Sequence, residues 1–308
     1  MPSLDLDRLR RRLPPAPLTR FAPSPTGYLH LGHAVNAVFV WGVARALGGR
    51  VLLRLEDHDR GRCRPLYETA LFKDLEWLGL EPDVGTPTEL RAAPSGFRQS
   101  DCAEVYERAL ARLASRQLVY ACGCSRRSLA PEADMPDGVE VPYSGRCRNR
   151  GLPLGPGRGV RVPLGPGTER FEDGLLGWQE QEPETQCGDL LLRDRLGNWT
   201  YQFAVTVDDQ RHGVDLVVRG ADLLGSTGRQ IRVAGLLGRT EPPVFLHHPL
   251  LFQAAGQKLS KASHDTGLRE LRAGGAGAAE VLGEAAFRAG LLPRRGPVPA
   301  AMLGGLFG

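Results

Sequence analysis

Lysine is nearly absent from this chain. Of 39 basic residues only Lys73, Lys258 and Lys261 are lysines, so arginine holds almost every basic position. A lysine that survives such a bias marks a place where a compact ammonium is needed, because the planar guanidinium grips phosphate differently. Two of the three stand four positions apart in QKLSKA. Long apolar runs are also missing. No stretch reaches the roughly 20 residues that span a bilayer, and MPSLDLDRLRRRLPPAP carries basic residues without an apolar segment after them, which argues against a secretory signal. Six cysteines in 308 residues are too few for a disulfide scaffold, and a cytoplasmic location is expected. No GxxxxGK[ST] occurs and no GxGxxG follows the first apolar run, which counts against Walker-type and dinucleotide sites. The net charge of +4 permits a nucleic-acid partner without requiring one.

What is present begins at RFAPSPTGYLHLGH, Arg20 to His33. The apolar run Leu18 to Ala22 meets Pro23 and Pro25, where a strand must stop. Ala34 to Leu47 then carries a helical pattern. His30 and His33 sit three apart at the start of that helix and share one face. Helix starts favour anions, so the pair suggests a polyphosphate site. Gly48-Gly49 ends the helix, and Val51 to Leu55 reads as a buried strand leading into Glu56-Asp57-His58-Asp59. Acidic groups at the carboxyl end of a parallel strand stand where open α/β sheets bind ligands. Helices are expected over Leu66–Leu78, behind Pro65, and over Arg98–Gln117, with a loop at 81–97.

Cys122, Cys124 and Cys147 fall within 26 positions in a segment poor in apolar residues, a pattern in which a metal replaces a core. Three thiolates leave a tetrahedral zinc one ligand short; Tyr143, Cys187, a histidine or water could complete it. Residues 151–168 read as an irregular crossing. Short strands are expected from Glu169 to Asp209, including GDLLLRD and, after a Gly197-Asn198 turn, WTYQFAVTVDD. Leu216–Val218 reads as a strand entering Arg219, followed by a helix capped by Ser226 or Thr227 and running to Leu237. VFLHHPLLF reads as a further strand that delivers the chain to the two lysines. A short helix from Gly267 and a poorly ordered segment from Pro293 close the reading. Strand–helix alternation at both ends, with a cysteine module between, gives an α/β, doubly wound fold with its nucleotide site at the switch point.

FAPSPTGYLHLGH and KLSKA resemble the HIGH and KMSKS motifs of class I aminoacyl-tRNA synthetases, and RFAPSPTG, RLEDHD, TYQFAVTVDD and VVRGADLL resemble the glutamyl branch. The resemblance covers about Thr19 to Ala262. It implies a Rossmann-like class I catalytic domain with an inserted zinc-binding, acceptor-type subdomain. The expected divisions are an N-terminal extension at 1–17, half-domains at 18–119 and 211–265, the insertion at 120–210, and a helical tail at 266–308. Only 46 residues follow Ala262 (308 minus 262), too few for the anticodon-binding region of a glutamyl-tRNA synthetase. The chain therefore resembles the glutamyl-Q tRNA(Asp) synthetase family, which activates glutamate with ATP and joins it to queuosine in the anticodon of tRNA(Asp). A truncated synthetase charging tRNA(Glu) and a non-catalytic amino-acid- or RNA-binding paralogue are the alternatives. The resemblance implies glutamate binding by Arg20, Phe21, Ala22, Pro23, Ser24, Glu56, Tyr201 and Arg219. His30, His33, Lys258 and Lys261 would serve catalysis, with His30, His33 and Lys261 on ATP and its pyrophosphate. Cys122, Cys124, Tyr143 and Cys147 would hold one structural Zn2+. ATP is the expected substrate, with Mg2+, and a monomer without membrane contact is expected. The basic loop departs from the family in ending at Ala262 instead of serine.

Overall fold

A computed structural model describes residues 4–125, 141–251 and 267–308. Lys258, Lys261 and Ala262 lie outside the described residues.

The first helix, α1 (Leu6–Arg12), is capped by the Asp5 carboxylate, which accepts from the Arg8 N–H at 2.8 Å. It buries Leu9 and fastens itself to Glu172 through Arg8 and Arg12. Then come β1 (Leu18–Phe21), α2 (Leu31–Ala46), β2 (Arg50–Leu53) and α3 (Pro65–Leu78), close to the expected bounds. Helix α2 is buried on nearly every side. Such a helix must be covered all round, and the sheet on one side and C-terminal segments on the other supply the cover.

The loop expected at 81–97 contains a short helix, α4 (Pro87–Arg91), with a Thr86–Glu89 capping box. The helix expected from Arg98 starts as one 3-10 turn, Gln99–Asp101, before α5 (Ala103–Ser115). Next are β3 (Tyr120–Cys122), β4 (Gly159–Val162), β5 (Glu169–Asp173), β6 (Gly177–Gln181), α6 (Pro183–Cys187) and β7 (Leu190–Arg193). Strand β4 lies within the stretch expected to be irregular.

The clearest correction concerns WTYQFAVTVDD. Tyr201, Phe203, Val205 and Val207 alternate with smaller or polar residues, the pattern of a half-buried strand. The segment is instead α7 (Tyr201–Arg211). Both faces of it are buried, including Thr206, Asp208 and Asp209, so the alternation never sorted core from solvent. Buried arginine, tyrosine and glutamine partners make the polar positions internal, and tertiary context overrides β propensity.

Strand β8 (Leu216–Gly220), a 3-10 stretch (Ala221–Ser226), α8 (Thr227–Leu236) and β9 (Val244–His248) follow. Neither Ser226 nor Thr227 caps α8 with its side chain; the Thr227 hydroxyl serves the site described below. Helices α9 (Leu268–Ala273) and α10 (Ala278–Arg288) lead to a 3-10 segment, Ala300–Leu306. The expectation of poor order after Pro293 fails: Val298, Leu303 and Phe307 are buried in the main core, with the Phe307 ring 5.3 Å from that of Phe39 on α2.

The main sheet has the order β2-β1-β8-β9-β5-β6. All neighbours run parallel except the β5–β6 hairpin. The chain leaves β1 toward β2 on one side and returns as β8 on the other, which puts the switch point between β1 and β8. A smaller antiparallel sheet, β3-β4-β7, carries the cysteine module. The stretch 120–210 is thereby divided, since β5 and β6 extend the main sheet and α7 packs against α8.

Candidate active site and metal centre

Two adjoining cavities open at the switch point. One, of about 370 Å³, is lined by His30, Gly32 and His33 from the start of α2 and by residues that follow β8 and β9. The other, of about 270 Å³, is lined by Arg20, Ala22, Glu56, Tyr201 and Arg219. Asn36, Gly220 and Leu223 belong to both.

The histidines form a reciprocal cap. The Gly32 N–H donates to His30 Nδ1 at 3.1 Å, and the His30 N–H donates to His33 Nδ1 at 3.1 Å. Because each Nδ1 accepts, each ring carries its hydrogen on Nε2. The pair thus offers two N–H donors beside a helix N-terminus, which suits phosphate oxygens. Lys258 and Lys261, the expected cationic partners, lie outside the described residues.

In the second cavity the charges are organised from beneath. Arg54 on the strand end, fully buried, donates to Asp209 at 2.7 Å and to Glu56 at 3.1 Å. Arg20 donates from Nε to both Asp209 oxygens and from Nη1 to the Val218 carbonyl. Asp208 accepts from Arg211, Gln99 and Tyr106. Burial pushes the Glu56 carboxyl above its ordinary value against the pull of Arg54 and Arg20. Asp209 is also opposed by burial, yet Arg20 and Arg54 hold it below its ordinary value. Arg20, Arg54 and Arg211 therefore balance Glu56, Asp208 and Asp209, and Arg219 is left over. Its guanidinium donates to His247, Gln230 and Thr227, all neutral acceptors, and lies against the Tyr201 hydroxyl. Among the described residues no carboxylate lies within ion-pair distance of it, and Asp222 is not its partner.

Of the expected glutamate-binding residues, Arg20, Ala22, Glu56, Tyr201 and Arg219 come together. Phe21 points into the core, its ring 5.2 Å from that of Trp41. Pro23 contributes its carbonyl, which accepts from the Glu56 N–H at 3.1 Å; neither it nor Ser24 lines the cavity. The sequence reading missed Arg54, Asn36, Asp209, Gln230 and His247. They lie within helices and strands or at their ends, where only the packing of other elements reveals them.

The cysteine module assembles as expected. Cys122, Cys124 and Cys147 bring their thiols within 4.8 Å of one another. The Tyr143 hydroxyl lies 3.4 Å from Cys122 Sγ and 3.6 Å from Cys124 Sγ. Cys187 is elsewhere, its thiol on the Pro183 carbonyl. Burial opposes ionisation of Cys147, but hydrogen bonds from Tyr143, the Gly123 backbone and the neighbouring thiols bring it down to about 6. Burial, and then the adjacent thiols, raise the Tyr143 hydroxyl. Arg161 covers the Tyr143 ring at 3.7 Å and donates to the Asp189 carbonyl, while Tyr120 and Arg148 grip the Asp189 carboxylate. Three converging thiols with one acidified suit a thiophilic dication such as zinc.

A family model described as tRNA synthetases class I (E and Q), catalytic domain, matches residues 18–273. A protein named glutamyl-Q tRNA(Asp) synthetase from Nitratidesulfovibrio vulgaris is 42% identical, covering 89% of this chain and 86% of its own. One of the same name from Rhodobacter capsulatus is 40% identical, covering 86% and 98%. Among solved structures, a glutamate tRNA ligase from Elizabethkingia meningosepticum in complex with its amino acid superposes with a TM-score of 0.68 at 27% identity. That match covers 80% of this chain and 52% of the ligase, so the chain spans about half the length of that enzyme. The chain belongs to the class I tRNA synthetases of the glutamate and glutamine branch, ligases by class, and within them to the family of proteins named glutamyl-Q tRNA(Asp) synthetase. Among the described residues no helix is long and apolar enough to cross a membrane.

Proposed function

We propose that the chain activates L-glutamate with ATP and transfers it to queuosine in the anticodon of tRNA(Asp). The observation that carries the chemistry is the pair of adjoining cavities that share Asn36, Gly220 and Leu223. One offers Nε2–H donors at a helix start; the other offers a leftover buried cation, Arg219, with Glu56 on its wall. Glutamate's side-chain carboxylate would pair with Arg219, and its ammonium would meet Glu56. Its α-carboxylate oxygen would then attack the α-phosphorus of ATP held at His30 and His33. The bond from that phosphorus to the bridging oxygen would break and release pyrophosphate, whose charge Lys261 would offset; Mg2+, when bound, would supply further positive charge. Catalysis of this kind is positioning and charge stabilisation. Transfer from the adenylate then releases AMP.

The RNA assignment rests on the relatives named glutamyl-Q tRNA(Asp) synthetase, which align with most of both chains. Purified tRNA(Asp) with and without queuosine tests it. Charging that requires queuosine supports the reading; equal charging of both, or charging of tRNA(Glu), overturns it. Absence of glutamate-dependent ATP–pyrophosphate exchange would favour the non-catalytic paralogue. The expected division into two catalytic halves around an insertion remains part of the proposal, as do a monomeric state and a cytoplasmic location, which six cysteines outside any disulfide among the described residues suit. Cys122, Cys124, Cys147 and Tyr143 would hold one zinc, which when bound ties together a module with little apolar core. Metal analysis of protein purified without chelators would give about one zinc per chain.

A further inference from the structure

Behind Arg219 the main sheet holds a chain of buried polar groups that the chemistry above does not use. Asp173 ends β5, His247 lies on β9, and Arg219 lies opposite His247 on β8. Asp173 is 2% exposed and His247 0%. Asp173 Oδ2 is 2.6 Å from His247 Nδ1, and Arg219 Nε is 3.0 Å from His247 Nε2.

These contacts fix the imidazole. An ionised carboxylate only accepts, and the Arg219 Nε–H only donates. His247 must therefore carry its hydrogen on Nδ1 and present a lone pair from Nε2. An imidazolium would set Nε2–H against Nε–H, two donors facing each other. The carboxylate itself is held in place, because Oδ1 accepts from the N–H groups of Leu175 and Leu176, each at 3.0 Å. Gln230 and Thr227 fix the other guanidinium nitrogens at 2.7 and 2.9 Å.

We infer that Asp173 and His247 are positioning residues that aim the Arg219 guanidinium at the substrate's side-chain carboxylate, and so help select glutamate over glutamine. The inference rests on the glutamate site proposed above and adds its supporting machinery. Its physical logic is that a carboxylate in direct contact with Arg219 would neutralise the cation and compete with substrate. A neutral imidazole orients the guanidinium and leaves its charge uncompensated, while the orienting carboxylate stays one ring away. An uncharged amide substrate then gains much less than a carboxylate.

The test uses the full chain in two ways. In wild-type protein labelled with 15N at histidine, long-range proton–nitrogen spectra should show His247 protonated on Nδ1 only. A hydrogen on Nε2, alone or in an imidazolium, overturns the inference. Asp173→Asn changes shape little but offers an amide N–H to His247 Nδ1, forcing the hydrogen onto Nε2 against Arg219. In exchange assays the KM for glutamate should rise roughly ten- to hundredfold, the effect of losing one hydrogen bond to a charged group. The KM for ATP should hold, and the preference for glutamate over glutamine should fall. An unchanged glutamate KM in the folded variant, or KM values for glutamate and ATP rising together, also overturns it. Wild-type protein without glutamate-dependent exchange would instead refute glutamate as the substrate, and the tautomer would then decide the dyad by itself.

Discussion

Replacing Asp209 by asparagine should expose the cost of the charge cluster beneath the amino-acid cavity. Asp209 lies near the end of α7 and accepts from Arg54 at 2.7 Å and from Arg20 at 3.2 and 3.3 Å. Arg54 is 0% exposed and Arg20 is 4%, so neither guanidinium can turn to water when its partner loses charge. Glu56 and Asp208 remain beside Arg54, but Arg20 loses its one carboxylate within ion-pair distance among the described residues and keeps neutral acceptors, the Val218 carbonyl among them. Breaking a buried pair by removing one charge costs about 3–5 kcal/mol, a large share of a total stability of about 5–15 kcal/mol. Urea unfolding followed by circular dichroism is the assay, with the midpoint expected to fall at unchanged slope. The effect should also depend on pH. Arg20 and Arg54 depress the Asp209 carboxyl in the folded chain despite its burial. Its contribution is therefore complete above the unfolded carboxylate value near ~3.9 and is lost as pH falls through the depressed value. The gap between wild type and variant should narrow only in strongly acid solution. A variant within about 1 kcal/mol of wild type at neutral pH would refute the reasoning, because a buried cation would then be tolerating an uncharged partner.

Asp74 should behave in the opposite sense. Burial raises its carboxyl to about 6 against the opposing charge of Arg272 at 3.0 Å. The folded chain therefore holds that proton more tightly than the unfolded one, and ionisation removes stability as pH rises from the unfolded value to about 6. Asp74→Asn should raise the melting temperature at pH ~7.5 by an amount worth roughly 1–3 kcal/mol, with no gain below pH ~4; a lower melting temperature at the higher pH would contradict this. Gly42→Ala would place a methyl group 2.2 Å from the Phe307 ring and 3.0 Å from the Leu303 carbonyl. Overpacking of about 1–3 kcal/mol should outweigh the helix gain, and combining it with Phe307→Ala should cost less than the sum of the two. At Gly188 the φ of +65° and a Cβ 2.0 Å from the Tyr143 carbonyl leave no room for alanine; Gly188→Ala should lower both zinc content and melting temperature, and full zinc retention would remove Tyr143 from the ligand set.

Much of the site was legible before any coordinates. The chemistry of RFAPSPTGYLHLGH is local: proline stops a strand, a helix begins, and histidines three apart must share its first turn. The same holds for Cys122 and Cys124, whose one-residue spacing keeps both thiols near any ion, and for the parallel strands β1, β2, β8 and β9, which are short, apolar and bounded by turns. Local rules failed where burial came from elsewhere in the chain. The alternation in TYQFAVTVDD reads as a strand because a sequence cannot show that Asp209 faces Arg20 and Arg54, or that Asp208 faces Gln99 and Tyr106, all far from them in sequence. The glycine-rich stretch and the prolines near the C-terminus read as loose because nothing local reveals that α2 needs a cover on its second side.

The residue types at each end of the fold were thus fixed by sequence, since caps, turns and strand ends depend on neighbours a few positions apart. The tertiary structure alone decided what those residues face. It joined the two cavities through Asn36, left Arg219 without a carboxylate among the described residues, and set Asp173 and His247 behind it on neighbouring strands. Each of these depends on strand order, and strand order brings together positions that no pattern along the chain relates.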